Sequence, residues 1–73
     1  MNVDKLVYMA NQIGAFFRSQ GEAAAVAGIA DHIAKFWDPR MRDAIHAHVE
    51  SGGEGLSPQV LQAIESLKAA KPA

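Results

Sequence analysis

Four groups of residues in this 73-residue chain have side chains that could do chemistry: His46 with His48, Asp31 with His32, the run Gly52-Gly53-Glu54-Gly55, and the basic set Lys35, Arg40 and Arg42. A metal site built on a helix needs two histidines on one face, at i,i+4, whereas residues two apart point about 200° away from each other. His46 and His48 are therefore expected to take separate, ordinary surface and core roles. A serine hydrolase must present a serine to a histidine, and no Gly-x-Ser-x-Gly elbow accompanies Asp31-His32. A phosphate loop needs Lys-Ser or Lys-Thr after its glycines; here the run sits between Glu50 and Glu54, whose carboxylates repel phosphate, so it reads as a flexible turn. The basic set has Asp31, Asp38 and Asp43 beside it and reads as a solvated face, with a docking patch for an acidic partner as the alternative.

The elements that must position these side chains are helices, because the apolar period is helical from end to end and no sustained alternation marks a strand. The first is expected from Val3 to Ser19, with Asn2 as N-cap, Asp4 favourable in the first turn, and Gly21 to end it. The second runs from Glu22 to Trp37, with Asp31 and Lys35 at i,i+4 spacing. Gly28 inside it costs about 1 kcal/mol relative to alanine and so points to close approach by a neighbour. Trp37-Asp38-Pro39-Arg40 is the clearest local signal: Asp accepts the free N–H groups of a new helix, and Pro at its first position loses no bond it needed. The third helix therefore runs from Pro39 to Glu50, and Ser57-Pro58 repeats the signal to open a fourth that reaches Ala69 or Ala70. The fold expected is all-α, a small bundle of about four helices joined by short turns, in a single helical domain over residues 1–70 with a frayed tail at 71–73.

Turned at about 100° per residue, the first helix is apolar over roughly half its circumference, wider than one core requires. It either packs between two neighbours or shows an edge, with Phe16 and Met9, to another protein. The second helix centres on Val26, Ile29, Ala30, Ile33 and Trp37, with Phe36 on one flank; the third on Met41, Ala44, Ile45, His48 and Val49; the fourth on Val60, Ile64 and Leu67, with Leu61 to one side. His48 falls inside an apolar stripe, and two readings stand: a buried imidazole bonded to a backbone group, or a hydrogen bond to a partner.

Composition bounds the function. Folding a chain of this size buries only about 60% of the surface it exposes when unfolded, so a lone core is marginal, and with no cysteine to make a disulfide or a thiolate metal site, packing or a partner is left to stabilise it. Cysteine-ligated iron–sulfur clusters are excluded on the same ground. A net charge of −1 supplies no broad attraction for nucleic acid or an anionic membrane. The longest apolar runs span a few residues, far short of the roughly 20 needed to cross a bilayer, so a cytoplasmic protein without a membrane partner is expected. Helices two and three with their tight turn also fit a helix-turn-helix nucleic-acid module, the alternative reading, against which stand Asp43 and Glu50 on the would-be recognition helix.

Three segments carry a family resemblance. Leu6-Val7-Tyr8-Met9-Ala10-Asn11-Gln12-Ile13-Gly14-Ala15-Phe16-Phe17 resembles the opening of the delta subunit of soluble NAD-dependent molybdenum formate dehydrogenases. Gly28-Ile29-Ala30-Asp31-His32 with Lys35-Phe36-Trp37-Asp38-Pro39-Arg40-Met41-Arg42 resembles its centre, and Gly52-Gly53-Glu54-Gly55-Leu56-Ser57-Pro58 its last motif. The resemblance implies a cytoplasmic accessory subunit that holds no cofactor itself and binds the large molybdenum-containing catalytic subunit, supporting assembly, cofactor insertion or stability. It implies that the other subunits carry bis-molybdopterin guanine dinucleotide, iron–sulfur clusters and FMN, and that formate oxidation and NAD reduction occur there. On this reading Met9, Phe16, Phe36 and Trp37 are candidate apolar anchors, Arg40 and Arg42 supply orientation, and His48 a hydrogen bond; Trp37 could equally complete the internal bundle. Without its partner the isolated chain could self-associate.

Overall fold

The computed structural model of the chain describes residues 2–70 and contains four helices: α1 (Val3–Phe17), α2 (Glu22–Phe36), α3 (Pro39–Glu50) and α4 (Pro58–Ala70). The tail expected to fray, residues 71–73, lies outside the described residues.

α1 and α3 start at side-chain caps. The Asn2 side chain accepts the Asp4 N–H at 2.8 Å, and Asp38 accepts that of Met41 at 3.0 Å with Pro39 at the first helical position. The ends differ slightly from expectation. α1 stops at Phe17 and tightens into a 3₁₀ turn over Arg18–Gln20, a common way to satisfy the last carbonyls, before Gly21 leaves at φ +92°. α2 stops at Phe36: Trp37 is already extended, and Asp38 after it, which precedes proline, is held out of the helical region.

α2 is central, packing chiefly on α4 and α1, while α3 leans on α4 and α1. The core is Leu6 and Ala10 from α1, Ile29 and Ile33 from α2, Ile45 from α3, Val60, Ala63 and Ile64 from α4, and Trp37 at the turn. Two glycines let helices approach. A β-carbon on Gly14 would stand 2.5 Å from Val60 Cγ2, and one on Gly28 would stand 2.7 Å from the ring of Phe17. The close approach expected at Gly28 is therefore the seat of Phe17 against α2.

The α3–α4 connection is built, not slack. Gly52 N–H donates to Val49 O at 3.1 Å and Gly53 N–H to His48 O at 2.9 Å, the paired bonds of a Schellman motif, with both glycines at positive φ. Asn11 of α1 then grips the far end: its Nδ2 donates to Gly55 O at 2.9 Å and its Oδ1 accepts from Ser57 N–H at 3.0 Å. The flexible turn read from the glycines is thus a structured one, whose backbone polar groups find partners on α1 and α3.

Candidate partner-docking surface

Several of the groups that could do chemistry bond to the chain's own residues. His48 Nε2 lies 2.7 Å from Glu54 O; a carbonyl only accepts, so Nε2 carries the proton and donates. The imidazole bonds a backbone group as one reading expected, but it is half-buried and not buried, because its partner lies in the surface connection after α3. Asp31 pairs with Lys35 at 3.1 Å, while His32 lies against the Phe36 ring at a centroid distance of 4.7 Å. Arg42 Nη1 donates to Ala34 O at 3.1 Å, capping the carbonyl end of α2, where a cation also suits the helix dipole. His46 sits with Asp43, Glu50 and Lys68 around a shallow groove. There Lys68 pairs with Glu50 and, by its hydrogen bond and charge, holds that carboxyl below the usual carboxylate range. Among the described residues no group of three or more His, Cys, Asp or Glu could hold a metal, and no helix is long and apolar enough to cross a membrane.

The expected partner residues divide in two. Trp37 does not offer its indole to the surface; at 5% exposure it belongs to the core, because the extended turn after α2 drops it between α2 and the other helices. Arg42 and His48 face the chain's own carbonyls. Phe16, Phe36 and Met9 stand in water, at 73%, 71% and 41% exposure, and Arg40 is exposed with no partner among the described residues. Tyr8 is also exposed, so three of the chain's five aromatic residues lie on the surface.

Their placement follows from the α1–α2 register. The contacts of Phe17 with Gly28 and of Gly14 with Ile29 run the two helices back along one another. Four residues back along α1 and four forward along α2 stand Ile13 and His32, and four further on Met9 and Phe36. Phe16 flanks the same seam at its other end, edge-on to Phe17 with ring centroids 5.1 Å apart. By this register the exposed Met9, Phe16 and Phe36 line the α1–α2 seam as an apolar surface of the kind that can bind a protein.

Over residues 5–64 the chain matches the family described as the NADH-dependent formate dehydrogenase delta subunit, FdsD. The chain belongs to the FdsD family. Comparison with curated proteins and with solved structures gives no match to either. The FdsD match covers α1, α2, α3, the clamped connection and the first half of α4, so the whole strip and the whole Asn11 clamp lie within it.

Sequence reasoning missed Asn11. The available signal was position: on α1 it borders the apolar face beside Val7 and Gly14, where a polar side chain needs a partner from a neighbouring element. It also missed Ala25 and Ala63, both fully buried, since a small side chain carries little periodic signal.

Proposed function

We propose that this chain is a non-catalytic accessory subunit of a cytoplasmic NAD-dependent molybdenum formate dehydrogenase, one that binds the large catalytic subunit and supports its assembly, cofactor insertion or stability. The observation that carries the reading is the FdsD family match across residues 5–64. It is supported by a surface that leaves phenyl rings exposed while the imidazole of His48 and the guanidinium of Arg42 bond carbonyls of their own fold. Redox chemistry would reside on the partner chains, which on this reading carry the bis-molybdopterin guanine dinucleotide, iron–sulfur clusters and FMN. A subunit that binds the loaded form of its partner and not the empty or unfolded form stabilises it by mass action, by about 2.7 kcal/mol at a hundredfold excess over Kd. Arg40 would add orientation at the rim.

The test is co-purification from the native host with an affinity tag at the C-terminus, together with formate-dependent NAD reduction in a strain lacking the gene. The expected result is recovery of the large subunit in fixed proportion, and lower activity and metal content in its absence. Recovery of the chain alone from an extract with intact formate dehydrogenase would refute the reading.

A further inference from the structure

We infer that the Met9–Phe16–Phe36 strip docks as projecting knobs into apolar pockets on a larger folded protein whose rim carries carboxylates, and that a second copy of this chain is not its occupant. The inference deepens the accessory-subunit reading and rests on it.

Three observations fix the chemistry of the occupant. The first is shape. Phe16 and Phe36 are more than two-thirds exposed, so they project from the helices instead of lining a depression, and the partner must supply the concave half. The two grooves described on this chain are poor seats for a second copy's rings, because Arg18 and Glu22 flank Ala15 and Pro58 in one and Asp43, Glu50 and Lys68 line the other, so a phenyl ring entering either would strip water from ionic groups. The second is area. Two rings and a methionine at these exposures present roughly 400 Å² of apolar surface, about half of the 800 Å² per partner that a stable interface buries. A two-fold contact through the strip alone falls short, whereas a large partner can add a rim around it. The third is charge. Lys5, one helical turn before Met9, and Arg40, four residues beyond Phe36, are exposed and without partners among the described residues. Carboxylates opposite them would steer encounter and fix which way round the chain lands.

The experiment measures association and dissociation of the full-length chain with formate dehydrogenase purified from a strain lacking it, for wild type, Phe16→Ala, Phe36→Ala, Lys5→Glu and, as a control off the strip, Tyr8→Ala. Each phenylalanine variant should bind about 30-fold more weakly, mainly by faster dissociation, as expected of interface hot spots. Lys5→Glu should slow association several-fold at low salt, and Tyr8→Ala should change affinity less than twofold. Circular dichroism melts check that each variant is folded, and sedimentation should give a monomer for the wild-type chain alone. Wild-type binding with both phenylalanine variants equally tight would overturn the strip while leaving the accessory-subunit reading standing. No wild-type binding would overturn both. A dimer of the isolated chain abolished by Phe16→Ala would make a second copy the occupant and overturn the inference.

Discussion

The two sides of this bundle spend their side chains in opposite ways. Along the α1–α2 seam, phenylalanines that could have been buried stand in water, whereas around the α3–α4 connection even polar side chains are drawn into the chain's own backbone bonding. Removing a large apolar side chain from water contributes about 1.5–3 kcal/mol, so leaving Phe16 and Phe36 outside forgoes stability that a 73-residue domain can hardly spare. The connection satisfies its polar groups within one chain, whereas the seam keeps large apolar side chains in solvent.

That contrast can be broken by mutation, from the largest effect down. Trp37→Ala deletes a buried indole and should cost about 3–5 kcal/mol, enough to unfold so small a domain; a thermal melt that keeps a cooperative transition near the wild-type midpoint would show that the turn is not part of the core. Asn11→Ala removes both bonds that hold the far end of the connection and should lower stability by about 1–3 kcal/mol in urea unfolding. Asn11→Asp, which keeps the acceptor for Ser57 N–H and loses the donor to Gly55 O, sharpens the comparison by showing which bond matters more. Phe16→Ala and Phe36→Ala should move stability by no more than about 0.5 kcal/mol, because their rings are already solvated, and a larger loss would place them inside the folded unit. The smallest effect belongs to Glu50. Its pKa is depressed by Lys68 in the folded state, so the pair's contribution is present above the ordinary carboxylate pKa and fades as pH falls through the lower folded value. Both partners are solvent-screened, and Lys68→Gln should erase that slight acid dependence; an acid limb identical in the variant would show that other carboxylates set it.

Much of the fold was legible because its signals are local. Asn2, Asp38-Pro39 and Ser57-Pro58 mark helix starts by backbone chemistry that acts within four residues, and the buried faces of α2 and α4 repeat at the helical period. What was not legible is long-range. For Trp37 and His48 the spacing offered an internal and a partner reading, and the choice between them depends on how the turns lay these side chains against the rest of the chain, while the carbonyl that Arg42 meets, eight residues back, was not foreseen. For the candidate surface, the excess width of the apolar face on α1 identified Met9 and Phe16 as an edge. Phe36 joins them through the register that Phe17 sets by lying on Gly28, a fact of packing and not of spacing.

The Asn11 clamp also ties completion of the fold to the late part of the chain during its synthesis. Its partners lie 44 and 46 residues downstream, and α4 supplies Val60, Ala63 and Ile64 to the core. While the ribosome has released only α1 and α2, the surface that carries Phe16 and Phe36 has no stable backing, and a nascent chain cannot yet display it in its final form. On the accessory-subunit reading, a partner that reads this surface would meet it in finished form only after the last helix has emerged.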